Sequence, residues 1–297
     1  MRENIINDIL KWIEKHIEDK IRIDDIVQIS GYKRRNIQLL FKECTGLSLG
    51  SYIRGRRLSR SAMLLRVTNQ SITDIAVRLR FDSQASFNRE FRKYFGCTPG
   101  EYRSSPTWDL RKLRARLSVN NDVDLLPAFC VLENATFYGY TVTYKEKLRA
   151  ERPCADACKI RFSLVVNNLR IYRQTLFVFS GFSPALMNDD TINVESFFAF
   201  ERDLGAEQRG ENSAHNSKYS VRGCHDTQGG LYVRFSYKGC WDEFSLLSRK
   251  IYTELLPKYG LNRRKGEDIE IFYYNDTVKN GDNDILIECD YLIPIDD

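Results

Sequence analysis

Histidine is scarce. Only three occur in 297 residues, and no recognised nucleophile motif accompanies them, so hydrolytic acid–base chemistry has few groups to work with. Long apolar runs are also missing: the longest, Leu125 to Leu132, is short and contains Pro127, which excludes a membrane-spanning helix of about 20 apolar residues. The first residues, Met1 to Asp8, offer no apolar core of a secretory signal, and a cytoplasmic location is the expectation. The eight cysteines include no CxxC pair and lack the dense spacing of small secreted folds. They fit buried thiols in a reducing compartment.

What is present is basic charge, concentrated in one place. Residues 1 to 117 carry 24 Lys+Arg against 13 Asp+Glu, net +11, while residues 118 to 297 carry 21 against 27, net −6, and the two halves together restore the overall +5. A basic half joined to an acidic one is expected where one part meets a phosphate backbone and the other does not. The basic half also repeats itself. Ile23-Arg-Asp25-Ile26-Val27 leads through Gly31-Tyr32 to Ile37-x-x-x-Phe41 and Gly46, and Ile72-Thr-Asp74-Ile75-Ala76 leads through Arg80-Phe81 to Phe87-x-x-x-Phe91 and Gly96. The offset changes by one residue between Tyr32 and Ile37. A period of this length seen twice predicts two tandem helix-turn-helix units rather than a solenoid.

The spacing divides each second helix into two faces. Ile37, Leu40, Phe41 and Cys44 make one buried stripe, leaving Arg35, Gln38, Leu39 and Lys42 on the other. Phe87, Phe91 and Phe95 point inward in the second unit, with Ala85, Asn88, Arg89 and Arg92 outward and Gln84 and Ser86 near the helix start. A helix about 10 to 12 Å across fills a major groove roughly 12 Å wide. Arg35, Gln38 and Leu39, then Gln84, Ser86, Asn88 and Arg89, are the candidate base-reading residues, Arg suiting guanine and Asn or Gln suiting adenine. Lys33, Arg34, Lys42, Arg54, Arg57 and Arg92 are candidate phosphate contacts, which set affinity and salt dependence rather than sequence choice. Between the units, Ser51 to Arg66 reads as a connecting helix of about 24 Å. Successive major-groove faces recur about every 34 Å, so one monomer can engage both.

Residues 5 to 106 resemble the AraC/XylS family of bacterial transcription regulators, and within it the Rob, MarA and SoxS group. The resemblance is carried by Ile53-Arg54-x-Arg56-Arg57-Leu58, Ile75-Ala76, Phe81-Asp82-Ser83-Gln84-x-Ser86-Phe87-x-Arg89-x-Phe91 and Thr98-Pro99-x-x-Tyr102-Arg103. It implies monomeric binding to double-stranded promoter DNA and activation by contact with RNA polymerase. Where relatives carry a Trp and a base-contacting Arg in the first recognition helix, this chain has Arg35 and Leu39. Its base preferences are accordingly its own.

After a linker at 107–120, the acidic half contains a weaker repeat. Strands are predicted at Phe137–Tyr144, Thr175–Phe182 and Val194–Glu201 with a helix at Ala155–Leu169; then strands at Leu231–Tyr237, Ile269–Tyr274 and Asp284–Ile295 with a helix at Trp241–Leu256. Each set is strand, helix, strand, strand. The expectation is a multidomain protein: an all-α double helix-turn-helix domain at 1–106, followed by an α+β domain at 121–297.

This second part resembles the GyrI-like effector-binding domain, most closely in Asn262-Arg263-Arg264-Lys265-Gly266-Glu267-Asp268-Ile269-Glu270 and Cys289-Asp290-Tyr291-Leu292-Ile293-Pro294-Ile295. The resemblance implies a small amphipathic or cationic effector, with Asp290 standing where relatives usually place a Glu. Tyr237, Trp241, Tyr273 and Phe272 are the candidate aromatic walls. No cofactor is expected. Three rivals stay open: a metal or redox sensor using Cys154, Cys158 and Cys224-His225, a hydrolase of the kind some stand-alone GyrI-like domains are, and a nucleoid protein without promoter choice.

Overall fold

Apolar residues at helical spacing, punctuated by hydroxyl caps and glycines, set out the helices of the first hundred residues. The computed structural model describes residues 2–117, 125–147, 155–185, 191–202, 222–280 and 285–296. Its helices begin with α1 (Arg2–Lys15), α2 (Ile23–Ser30), α3 (Arg34–Thr45) and α4 (Leu49–Val67), then α5 (Ile72–Arg78), α6 (Gln84–Phe95) and α7 (Pro99–Ser104). The pairs α2–α3 and α5–α6 are the two repeats. Ser48, Ser71, Ser83 and Thr98 each accept a hydrogen bond from an N–H of the first helical turn, which satisfies a donor the helix leaves orphaned. At the far ends of α3 and α6, Gly46 and Gly96 adopt the left-handed conformation, with φ of 71° and 86°, at no steric cost.

Each repeat has its own apolar centre. Ile6, Ile9, Leu10 and Ile13 of α1 pack with Ile26, Ile37, Phe41 and Tyr52. In the second repeat Phe87 meets Phe91 edge-on and Phe91 meets Phe95 at a tilt along α6, and Tyr102 of α7 meets Phe91 edge-on at 5.5 Å. Helix α4 buries Tyr52, Leu58, Ala62, Leu64 and Leu65 and is the shared spine of both repeats rather than a spacer exposed on all sides. Its Arg56 pairs with Glu14 of α1 at 2.7 Å, and Tyr52 Oη donates to the same carboxylate. Burial alone raises the Glu14 carboxyl, but the Arg56 charge and hydrogen bonds outweigh it and hold the group below its ordinary value.

Residues 107–117, read above as linker, lie along these helices. Leu110 and Leu113 are buried, Lys112 Nζ donates to the Phe95 carbonyl, and the Arg114 N–H donates to Ser59 Oγ. The apolar side chains interleaved with the basic ones hold the segment down. The chain divides into two compact units, Met1–Asp124 with Lys250–Asn262, and Leu125–Arg249 with Arg263–Asp297.

In the second unit, alternating apolar residues build an antiparallel sheet from β1 (Ala128–Leu132), β2 (Thr136–Lys147), β3 (Leu176–Pro184), β4 (Thr191–Phe200), β5 (Arg222–Asp226), β6 (Gly230–Gly239), β7 (Asp268–Phe272) and β8 (Ile287–Pro294). The order is β1-β6-β8-β7-β3-β4-β2-β5. Each repeat inserts its last strand between its first two, β4 between β2 and β3 and β8 between β6 and β7, and the repeats join where β3 pairs with β7. Strands β1 and β5 fall outside the expected repeat and extend its two outer edges. Helix α8 (Ala155–Tyr172) packs on β2 and β3, and α9 (Trp241–Phe244) on β6.

The helix expected at Trp241–Leu256 is broken. After α9 come α10 (Leu247–Lys250), a π-helical turn at Ile251–Leu255 and α11 (Leu256–Lys258). Pro257 has no N–H to continue the ladder, and the Leu256 N–H reaches back five residues to the Ile251 carbonyl. A short α12 (Asp276–Asn280) precedes β8. No helix among the described residues is long and apolar enough to cross a membrane.

Candidate nucleic-acid interface and effector groove

The buried stripes of α3 and α6 determine what is left outside. With Ile37, Leu40 and Phe41 inside, Arg35, Gln38, Leu39 and Lys42 are exposed, as are Lys33 and Arg34 ahead of them. Leu39 is 52 % exposed, a leucine held in water on an otherwise polar face. On α6, Gln84, Arg89 and Arg92 are exposed, and Ser86 and Asn88 are half-buried. Thr73 of α5 donates its hydroxyl to Gln84 Oε1 at 2.6 Å, which leaves the amide N–H groups of Gln84 as its outward donors. Asn88 Oδ1 is buried with no hydrogen-bond partner among the described residues. None of the base-reading candidates is sealed in the core.

The phosphate candidates divide. Arg54 is open to solvent, 3.5 Å from Glu90. Arg57 is already committed: its Nε donates to the Ile17 carbonyl at 3.0 Å and its Nη2 to the Asp19 carbonyl at 2.7 Å. Burial and the neighbouring Arg80 push its guanidinium below its ordinary value. Arg80 itself holds the turn before α6, at φ 62°, with its Nε donating to the Glu18 carbonyl at 2.9 Å. Glu18 also pairs with Arg78 at 2.9 Å. Sequence spacing marked Arg80 only as a turn position; its positive φ and its tie to the turn after α1 emerge from the packing.

The effector candidates fall into two groups. Asp290 and Tyr273 come together, the Tyr273 hydroxyl donating to Asp290 Oδ2 at 2.8 Å. Burial and that carboxylate push the Tyr273 phenol up to about 12. Ser236 Oγ donates to Asp290 Oδ1 at 2.5 Å, and Arg234 lies 3.7 Å away. Asp290 alternates with the fully buried Tyr291 and Cys289 along β8, so it faces the other side of the sheet from theirs. Trp241 lies apart from this group, with Phe244 at 5.2 Å and Phe272 at 6.5 Å, and its indole N–H donates to Cys158 Sγ at 3.2 Å. Tyr237 donates to the Cys240 carbonyl and touches Phe244, while Phe272 is fully buried core.

Around Trp241 the structure assembles a group that spacing did not single out. Arg161 of α8 pairs with Glu270 of β7, and its guanidinium lies over the rings of Trp241 and Phe244. Tyr144, Glu146 and Cys158 complete the wall. No sequence signal singled out Arg161, because the same stretch of sequence also carries Asp156, Lys159 and Arg170. Of the metal-sensor residues, Cys154 lies outside the described residues; Cys224 is exposed, and His225 Nε2 pairs with Glu267 at 2.7 Å. No cluster of three or more metal-ligating side chains forms among the described residues.

Comparison with known proteins agrees with this division of labour. A "Helix-turn-helix domain" model matches residues 26–105, and a "GyrI-like small molecule binding domain" model matches residues 176–296. The chain is 33 % identical over 294 residues to the "Transcriptional regulator Rob" of Salmonella typhimurium, covering 98 % of each. It is equally similar to the "Right origin-binding protein" of Escherichia coli K12, at 33 % over 98 % of each. The "F1 operon positive regulatory protein" of Yersinia pestis is 31 % identical over 99 % of this chain and 89 % of its own. Among solved structures, a transcriptional regulator with an AraC-type DNA-binding domain from Chromobacterium violaceum covers 35 % of this chain and 95 % of its own, at 31 % identity and a TM-score of 0.33.

Proposed function

The chain belongs to the AraC-type family of helix-turn-helix transcriptional regulators, in the Rob group that carries a GyrI-like ligand-binding domain, and from that premise we propose that it binds promoter DNA as a monomer, activates transcription through RNA polymerase and answers to a small amphipathic or cationic effector. The observation that carries the DNA reading is the pair of exposed polar faces on α3 and α6, each backed by its own apolar stripe, with α3 packed on α4 and α6 on α5 and α7, which pack on α4 in turn. At about 1.5 Å per residue, the 19 residues of α4 span about 28 Å. That is close to the roughly 34 Å between successive major-groove faces, so a second copy is not needed to reach two of them. Gln38 and Arg89 are the side chains we assign to bases, and Lys33, Arg34, Lys42 and Arg92 to phosphates. The positive role in the name of the Yersinia pestis relative supports activation.

Replacing Arg89 tests the reading. Arg89→Ala is expected to lose about 1 to 3 kcal/mol on the preferred site and much less on random DNA. An equal loss on both reassigns Arg89 to phosphate. Equal affinity of the wild-type protein for promoter and scrambled fragments at physiological salt would instead favour a nucleoid protein without promoter choice.

A further inference from the structure

Leu39 is 52 % exposed, on a face of α3 whose other members are Arg35 one turn before it, Gln38 beside it and Lys42 one turn after it, all open to solvent. Lys33 and Arg34 stand exposed ahead of them. A single exposed leucine is ordinary on a protein surface. The internal repeat sets this one apart, because Ile37, Phe41 and Gly46 recur 50 positions on as Phe87, Phe91 and Gly96, and the same step carries Leu39 onto Arg89 and Arg35 onto Ala85. All four of these side chains are exposed. Each recognition helix therefore presents one arginine and one apolar side chain a turn apart, in opposite order: arginine then leucine on α3, alanine then arginine on α6. Leu39 stands at the position that an arginine fills in the second unit. The cations Lys33, Arg34, Arg35 and Lys42 around it favour a polyanion as the surface that comes to cover it. In the major groove of DNA the apolar group on offer is the C5-methyl of thymine.

We propose that Leu39 determines sequence choice by covering a thymine C5-methyl, so that the first unit selects by apolar contact at the position where the second selects by a guanidinium. The inference rests on reading the chain as a promoter-binding regulator, and it names a base feature that one of its helices selects. Leucine has no donor for guanine O6 or N7, and cytosine has no methyl to cover. Thymine is thus the pyrimidine that gains from the contact. Burying one methyl-sized group changes affinity about fourfold, the equivalent of about 0.8 kcal/mol.

A scan of thymine against deoxyuridine tests it, since that replacement deletes the methyl and keeps the base-pairing edge. The full-length protein is titrated, at one fixed salt concentration, with the duplex it enriches from a random-sequence pool and with copies carrying deoxyuridine at one thymine at a time. Wild type is expected to bind about fourfold more weakly when one particular thymine is replaced. Leu39→Ala, whose side chain is too short to reach that methyl, is expected to bind the thymine and deoxyuridine duplexes equally there, and to match wild type in its response at every other thymine. Each comparison sets two duplexes against one protein, so a change in the folded fraction cancels. A wild-type protein indifferent to every replacement, or penalties that all persist in Leu39→Ala, overturns the proposal. If wild type still prefers the enriched duplex over a scrambled one in that case, the promoter reading stands and this inference alone falls. Equal wild-type affinity for enriched and scrambled duplexes sinks both.

Discussion

The two helix-turn-helix units share a plan but reach it with different residues. At the turn into the recognition helix, the first unit places Gly31 at φ 69° and the second places Arg80 at φ 62°, 49 positions apart as the repeat requires. Glycine takes that conformation freely, whereas an arginine pays roughly 1 to 2 kcal/mol for it. Arg80 offsets part of this by its hydrogen bond to the Glu18 carbonyl. The caps differ too. Lys33 starts α3 with no side-chain cap, while Ser83 starts α6 with its hydroxyl accepting from the Ser86 N–H. A backbone conformation can thus be preserved by its surroundings when the residue best suited to it is absent.

The strongest challenge to the equivalence of the units is to empty both cores. Phe41 and Phe91 are both fully buried, so Phe41→Ala and Phe91→Ala should each lose about 3 to 5 kcal/mol in urea unfolding. A clearly smaller loss in one unit would break the symmetry. Next comes the tie behind the first unit. Glu14→Gln strands Arg56 in a part-buried position and should cost on the order of 3 kcal/mol. Because the folded Glu14 carboxyl lies below its ordinary 4.5, its stabilisation is present above that value and is lost as pH falls through the folded one. An acid titration of stability should therefore flatten at its low-pH end in Glu14→Gln; an unchanged profile would remove Glu14 from the account.

The caps give a smaller and more pointed contrast. Ser83→Ala should cost about 1 kcal/mol, and Lys33→Ser should gain a few tenths up to about 1 kcal/mol, both read from thermal melting. Equal effects of Ser83→Ala and Lys33→Ala would mean that the cap difference has no energetic content. At the turn the two units should part, and the smallest effect of all is expected at Arg80. Gly31→Ala should cost about 1 kcal/mol, since its Cβ meets no neighbour and only the backbone resists. Arg80→Gly should stay within about 0.5 kcal/mol of wild type, relief of strain balancing the lost hydrogen bond. A large loss at Arg80 would show that its side chain, not its backbone, holds the turn.

Much of the first unit was legible because helical spacing, caps and glycines act locally. Ile37, Phe41, Phe87 and Phe91 announce their faces by their spacing, and the outward positions of Gln38 and Arg89 follow from it. The second unit was legible only as a strand and helix order. β1 lies in a stretch whose apolar residues carry no clean alternation, and β5 is a short edge strand containing Arg222, Cys224 and Asp226. The break after Phe244 was likewise hidden, although Pro257 offered a cue. Asp290 was picked out because it stands where relatives usually place a Glu. The Tyr273, Ser236 and Arg234 partners that engage it lie on other strands.

By itself the sequence determined the duplicated reading helices, the charge division and the strand-helix-strand-strand order, because each is written in residues a few positions apart along the chain. Only the tertiary structure decided that Arg80 bends left-handed against Glu18, that Arg57 spends its donors on the turn after α1, and that Arg161 meets Glu270 across 109 positions. Those pairings depend on which elements pack together, and a desolvated charge takes whichever partner the fold brings within reach.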